Sequence, residues 1–285
     1  MEAVIDPASD LHLHTRYSDG NAGVREMIEA AVARGFRRIA ITDHMPLPFE
    51  SRYAMAVEEI DRYREEIRRV RGEYAGVIEV RLGLEMEYLP GFEVWTEKIA
   101  AAGWEHAIGS VHGIIADGRR GMVNGTRTEF ERLLSALFNG DIRALCTHYY
   151  KHLQRVVDSG LVSTVGHLDV LKKHNRDGIF FDETAAWYCD LVMETLNHVK
   201  ASSMTVEINM SGCDHPTAAP YPSPWLVAEC IRRDIPLVLS SDAHRPENIG
   251  RNFERLPDML CPASADWGRC PSSEEKIPPE SSLPY

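Results

Sequence analysis

The sequence predicts an α/β protein whose parallel strands close into a single barrel. Three observations carry that prediction. Short runs rich in Val, Ile or Leu alternate with longer segments of helical periodicity. Seven such units fall within the first 256 residues of the 285-residue chain, and neither a repeat nor a low-complexity tract separates them. Alternation implies parallel strands, because each intervening helix carries the chain back to the starting edge. Seven units in that length suit one closed barrel better than two open sheets.

In chain order, strands are expected at 9–15, 37–44, 79–88, 106–113, 164–170, 204–211 and 236–244, each running into a polar residue or Gly. Helices at 24–34, 55–73, 94–103, 128–139, 149–159, 183–200 and 223–233 place apolar residues three and four positions apart. After the last strand, 246–256 offers only a weak helix, so the seam between last and first strands should be thinly covered. The barrel domain is expected over 1–256. Residues 257–285 hold six prolines and five serines with little periodicity, which predicts a poorly ordered tail.

Composition excludes several classes. With 44% hydrophobic and 26% charged residues, the chain has enough apolar surface for a large core. Its apolar runs, such as 39–41 and 236–239, fall far short of the roughly 20 residues a bilayer requires, so no membrane role is expected. Thirty-one basic residues against 43 acidic leave a net charge of −12. No basic stripe offsets it, and a nucleic-acid partner is not expected. Arg62 to Arg71 is interleaved with Glu65 and Glu66, as on a solvated helix face. The N-terminus shows no basic signal region, and the cysteines at 146, 189, 213, 230, 261 and 270 include no C-x-x-C pair. Free buried thiols in a reducing cytoplasm are the expectation.

The twelve histidines are the informative residues. His12 and His14 stand two apart near the end of the first strand, so both point to one face. Asp19 follows in the loop. His44 closes the second strand, Glu85 lies near the end of the third, His112 ends the fourth and His167 lies on the fifth. Asp242 and His244, again two apart, end the seventh. All nine gather at the C-terminal strand ends, where such barrels carry out chemistry. Imidazole and carboxylate without thiolate suit zinc, manganese or iron. One site needs three or four protein ligands, so nine serve two or three divalent ions.

A lone histidine ending a strand is most often an ordinary surface or core residue. Five strands offering histidine at the same end are not easily reached by chance. Spacing alone does not choose between Glu85 and Glu87, which share a face. His148 and His152 are four apart but lack the Glu of a zincin, and read as a solvent-facing pair. His106, His174 and His198 stand alone and His215 sits in a Pro-rich loop, so all four read as ordinary surface or core residues, with His215 also a candidate for the mouth of the site. Asp10 and Asp43 are candidates to orient a ligand or cap an adjoining turn. No G-x-S-x-G, Walker A or G-x-G-x-x-G motif occurs.

The motifs Asp-Leu-His-Leu-His-Thr (10–15), Ile-Thr-Asp-His (41–44), Gly-Leu-Glu (83–85), Gly-Ser-Val-His (109–112), Gly-His-Leu-Asp (166–169) and Ser-Asp-Ala-His (241–244) resemble the polymerase-and-histidinol-phosphatase (PHP) superfamily. The likeness runs in order from about Asp10 to Phe253. Within the superfamily it is strongest to the monofunctional histidinol-phosphate phosphatases. The resemblance implies a distorted seven-stranded, TIM-like (β/α) barrel with a trinuclear metal site. His12, His14, Glu85 and Asp242 would hold one ion, with Glu85 bridging to a second held by His112 and His167. Asp19, His44 and His244 would hold the third. The family pattern thus favours Glu85 over Glu87. Some members place a histidine six residues after the second His, where this chain has Gly20, and Asp19 is the alternative ligand. The tail does not resemble the family's closing helix.

The implied activity is metal-assisted hydrolysis of L-histidinol phosphate to L-histidinol and phosphate, in histidine biosynthesis, by a metal-bridging hydroxide held by Glu85, Asp242 and His244. Arg16, Lys172, Lys173 and Arg245 each follow a ligand motif and are candidates for gripping phosphate. Glu207, Tyr17 and Tyr88 are candidates for the amine and imidazole. Two rival readings share the ligand set: a PHP phosphoesterase acting on nucleotides or another small ester, and a metal-binding module without turnover.

Overall fold

The computed structural model describes residues 5–116 and 118–260. In chain order they form β1 (Ser9–Leu13), α1 (Val24–Ala33), β2 (Arg38–Ile41), α2 (Ile60–Glu73), β3 (Glu79–Glu87), α3 (Glu93–Ala100) and β4 (His106–Ser110). A hairpin of β5 (Gly113–Ala116) and β6 (Arg119–Met122) follows, then α4 (Arg127–Phe138), α5 (Ile142–Asp158), β7 (Thr164–Val165), α6 (Ala186–Ser202), β8 (Thr205–Asn209), α7 (Pro224–Arg232), β9 (Leu237–Ser240) and α8 (Leu256–Leu260). Seven strands pair in the order β1-β2-β3-β4-β7-β8-β9, every pair parallel. The α/β barrel expected from the alternation is the fold observed.

Helices cover the sheet, so β1 and β4 are buried along their whole lengths. One core cluster packs α1 and α2 against the early strands, and a second packs α4 to α7 against the late ones. Tyr63 of α2 locks helix to sheet, its hydroxyl reaching the carbonyls of Ile41 and Gly83, each at 2.9 Å.

The barrel is closed by a narrow seam. β1 and β9 share no regular ladder, only a parallel bridge between Leu13 and Ala243. Asp10 reinforces it. Its buried carboxylate accepts the Ser241 and Gly250 amides, each at 2.9 Å, and the Ser241 hydroxyl. Asp10 therefore serves closure, its hydrogen bonds going to Ser241 and Gly250 rather than to a predicted ligand. Over the seam, 246–256 makes only two short 3-10 turns, as its weak periodicity implied. Gly250 sits there at φ 71° with the Phe36 ring 2.4 Å from where a Cβ would lie, so a side chain has neither the backbone nor the room.

Two differences from the sequence expectation have local causes. The strand expected at 164–170 keeps only Thr164–Val165, because the His167 amide donates to the Glu207 carboxylate at 2.6 Å instead of extending the ladder. The strand expected over 106–113 stops at Ser110, and the chain turns into the unforeseen β5–β6 hairpin. An Asp-Gly pair at 117–118 was its sequence signal.

Of the expected tail, residues 257–260 belong to α8, and the remainder lies outside the described residues. Cys146, Cys213 and Cys230 are buried free thiols, whereas Cys189 is disulfide-bonded, against the expectation of free thiols throughout. No helix among the described residues is long and apolar enough to cross a membrane.

Candidate metal centre

The strand ends bring six imidazoles and three carboxylates together. Glu85 is the hub. Its Oε2 lies 2.8 Å from His44 Nδ1, 3.3 Å from His12 Nε2 and 3.6 Å from His14 Nε2. Its Oε1 lies 3.1 Å from the Nε2 atoms of both His112 and His167. Asp242 Oδ1 approaches His14 Nε2 at 3.3 Å and His12 Nε2 at 3.9 Å. From the loop after β1, Asp19 Oδ1 reaches His244 Nε2 at 3.2 Å and His44 Nε2 at 3.7 Å. Three subsets have donor atoms all within 4.8 Å of one another: His14, Asp19, His44 and His244; His12, His14 and Glu85; His44, Glu85 and His112.

These groups fit divalent cations. His12 Nε2, His14 Nε2 and Glu85 Oε2 are buried without a hydrogen-bond partner, an arrangement that is costly unless something positive sits between them. Burial, with His244 and His44 beside it, drives the His14 pKa down to about 3, so its Nε2 lone pair stays open near neutral pH. Burial alone would raise the Glu85 pKa, but the facing His112, His44 and His12 hold it well below the usual carboxylate range. Asp242 is likewise depressed, with burial opposing and His12 and His14 prevailing.

The rings are aimed by buried carboxylates behind them. Glu207 Oε1 lies 2.5 Å from His12 Nδ1, while its Oε2 accepts the His167 amide at 2.6 Å and the Asn209 amide nitrogen at 3.3 Å. The Ser240 hydroxyl also donates to Glu207. Every acceptor of Glu207 is thus occupied, which removes it as a contact for a substrate amine. Glu87 does for His112 what Glu207 does for His12. Its Oε2 lies 2.9 Å from His112 Nδ1, and its Oε1 takes the His112 and Gly113 amides at 3.0 and 2.9 Å. The ambiguity between the two glutamates resolves accordingly: Glu85 faces the cluster and Glu87 orients a member of it. Asp43 caps the loop leading to Asp19, accepting the Thr15 amide at 2.8 Å and the Ser18 amide at 3.0 Å.

A cavity of about 390 Å³ opens over the cluster, lined by Asp19, His44, Glu85, His112, His167, Asp242 and His244. Of the cations proposed for phosphate, only Lys173 lines it, with Nζ donating to the Asn124 carbonyl at 2.6 Å. Arg16 turns outward to Glu26 at 2.6 Å. Lys172 is wholly buried, bonded to Ser223 and 3.1 Å from Asp169. Arg245 is exposed and nearest Glu247 at 3.9 Å. A cation the sequence did not single out, Arg251, lines the cavity while donating to the Ser241 and Asp242 carbonyls at 2.8 and 2.9 Å. It lies in 246–256, where weak periodicity offered no signal.

The remaining candidates fall elsewhere. His215 lines the cavity with Nδ1 3.1 Å from the Tyr221 hydroxyl. His152 is buried against the Tyr88 carbonyl, so the expected solvent-facing pair does not form. His148 instead packs its ring 5.7 Å from Phe138. His174 and His198 bond to the Gly125 carbonyl and Asp158, at 2.9 and 2.8 Å. Tyr17 donates to Glu66 at 2.7 Å, and neither Tyr17 nor Tyr88 lines the cavity.

A barrel with such a cluster at its strand ends has the frame of a metal-dependent hydrolase. Residues 10–211 match the PHP domain, most of the chain, and the chain belongs to that family. Its relatives include a Deinococcus radiodurans protein curated as "Probable histidinol-phosphatase", 34% identical over 86% of this chain and 89% of its own. The Bacillus subtilis histidinol-phosphatase is 29% identical over 86% of this chain and 96% of its own. Among solved structures, the Lactococcus lactis histidinol phosphate phosphatase, complexed with zinc, L-histidinol and phosphate, superposes with a TM-score of 0.70. It is 20% identical, covering 88% of this chain and 92% of its own.

Proposed function

We propose that this protein is a histidinol-phosphatase, hydrolysing L-histidinol phosphate to L-histidinol and phosphate with the help of two or three divalent ions. The observation that carries the reading is the convergence of nine donor side chains at the strand ends, five imidazoles among them closing on the buried Glu85 carboxylate. His12, His14, Glu85 and Asp242 would hold one ion, Glu85, His112 and His167 a second, and Asp19, His44 and His244 a third. Zinc, manganese and iron all suit that donor set. Bound ions would make a water nucleophilic at neutral pH and neutralise charge on the phosphoryl oxygens.

The chain's own groups do the rest. Glu207 and Glu87 hold the Nδ1 faces of His12 and His112, leaving each Nε2 turned inward. Glu85, Asp242 and His244 border the space above and are assigned to orienting the attacking water. Lys173, tethered by Asn124, is assigned to the phosphate, with Arg251 adding positive charge at the rim. The cavity volume suits a small ester rather than a polymer. All nine donors precede residue 245, so the activity belongs to the barrel over 1–256, and none is assigned to 257–285. A biosynthetic role of this kind fits a cytoplasmic enzyme.

Phosphate release from L-histidinol phosphate by the metal-replete protein, beside a panel of nucleotides and sugar phosphates, tests the reading. Preference for histidinol phosphate, abolished by chelation and restored by metal, is the expected result. Faster turnover of a nucleotide would transfer the same site to another substrate, and bound metal with no turnover of any ester would end the catalytic reading.

A further inference from the structure

Beside the metal cavity lies a larger one of about 750 Å³. Tyr53 and Met122 line both, so the two spaces meet at those side chains. The outer cavity is framed by the segment 49–53, the β5–β6 hairpin and α4. Each contributes cations: Arg52 from the first, Arg119 and Arg120 from the second, Arg132 from the third. Two glutamates share the lining. Glu129 is already taken up in capping α4, accepting the Thr126 amide and hydroxyl at 2.7 and 2.8 Å. That leaves Glu50 against four guanidinium groups.

None of the four forms an ion pair among the described residues, and Arg132 acts on Glu129 only from a distance, adding to the Thr126 hydrogen bonds that lower its pKa. Elsewhere, Arg25, Arg38, Arg69, Arg71 and Arg127 each meet a glutamate oxygen at 2.6 to 3.0 Å. In the outer cavity Arg119 instead donates to the Ala136 carbonyl at 2.8 Å, and Arg120 lies 3.9 Å over the Phe49 ring. Arg52 and Arg132 form no ion pair or hydrogen bond among the described residues. In a chain of net charge −12, unpaired positive charge gathered at the approach to a phosphoesterase site calls for a reason.

We infer that the arginine-lined cavity is an electrostatic capture site for the phosphate monoester on its way to the metal cavity. The inference rests on the phosphatase reading above. An acidic protein repels a dianionic ester, and a cleft lined with one sign of charge reverses that locally and raises the rate of productive encounter. Guanidinium is suited to the task, since its planar fork meets phosphate oxygens with two parallel hydrogen bonds. Arg119 and Arg120 are held in place by Ala136 and Phe49, while Arg52 and Arg132 are free to turn toward an arriving anion.

The test compares wild type with the Arg52→Glu/Arg132→Glu double variant in the metal-replete protein. Arg62→Glu, in an exposed pair with Glu59 that lines neither cavity, serves as a charge-change control. Hydrolysis of L-histidinol phosphate is followed between about 0.02 and about 0.5 M salt, beside calorimetric titration with inorganic phosphate. At low salt, kcat/KM of the double variant should fall about tenfold with kcat within about twofold. That gap should close at high salt, and the control should track wild type. Equal kcat/KM and equal salt dependence in double variant and wild type would overturn the capture site while leaving the phosphatase reading intact. Should wild type not hydrolyse histidinol phosphate, the phosphatase reading fails on its own. The capture site is then judged by the titration: weaker phosphate binding in the double variant supports it, and equal binding overturns it.

Discussion

The two neighbouring cavities are built on opposite principles. Around the inner one, buried imidazoles are braced by carboxylates that are themselves buried, Glu207 behind His12 and Glu87 behind His112, and buried Asp43 caps the loop that carries the more exposed Asp19. The outer one is walled by exposed arginines, two of which have no hydrogen-bond partner among the described residues. Inner groups are immobilised because each ligand must present one particular atom. Outer groups act through their charge, which reaches over roughly a Debye length and needs no fixed rotamer. Substitutions should therefore be costly inside and graded outside.

The largest effect is expected from Glu85→Gln, since one neutral amide would replace the carboxylate shared by five imidazoles. Phosphate release should fall by about a thousandfold or more, with less metal retained after dialysis. A fully active variant would refute the hub.

Asp10→Ala sharpens the comparison by separating burial from chemistry. It strands the Ser241 and Gly250 amides in the seam, and denaturant unfolding should show a loss of about 2–4 kcal/mol. Activity per folded molecule should stay near wild type. If activity collapsed while stability held, Asp10 would belong to the site instead.

Next in size is Glu207→Gln. Metal affinity and turnover should each drop about 10- to 100-fold without loss of the circular dichroism spectrum. Metal titration of the variant reads the first quantity directly, and unchanged affinity would reduce Glu207 to a packing group. At the rim, Lys173→Ala should raise KM about tenfold while moving kcat less, as expected for a group that binds phosphate in ground and transition state alike.

The smallest effect belongs to Arg16→Ala. Its ion pair with Glu26 is more than half exposed on both sides and lies off the cavity, so kcat/KM should change by less than about twofold. A larger loss would mean that the Asp19 loop depends on Arg16.

Much of the inner cavity was readable in the chain itself. A histidine at the end of a strand is placed by the strand, and alternation places its partner two residues away, so the pairing of His12 with His14 is legible in spacing. Asp242 and His244 share the same spacing but lie beyond β9, with Asp242 at φ 51°, so the turn rather than the strand brings them to the cluster. Their orienting partners were not readable, because Glu207 reaches His12 across 195 positions of sequence. The four cations proposed for phosphate were chosen for following a motif, and adjacency proved a poor guide. Lys172 and Lys173 are consecutive, yet one is buried against Asp169 and the other reaches the cavity. The arginines of the outer cavity were invisible for a similar reason. They come from three separate segments, and no stretch of sequence is basic where they lie.

The sequence by itself determined the strand and helix alternation, the barrel that follows from it and the end of the barrel where imidazoles and carboxylates collect. Those features depend on local period and chain order, which the one-dimensional pattern contains. Tertiary structure alone decided that Glu85 faces inward while Glu87 braces His112, that Asp10 closes the seam, and that Lys173 and Arg251 reach the cavity where Arg16, Lys172 and Arg245 do not. Each of those outcomes turns on which buried polar atom finds a partner from a distant strand, and only the folded chain brings the partners within hydrogen-bonding reach.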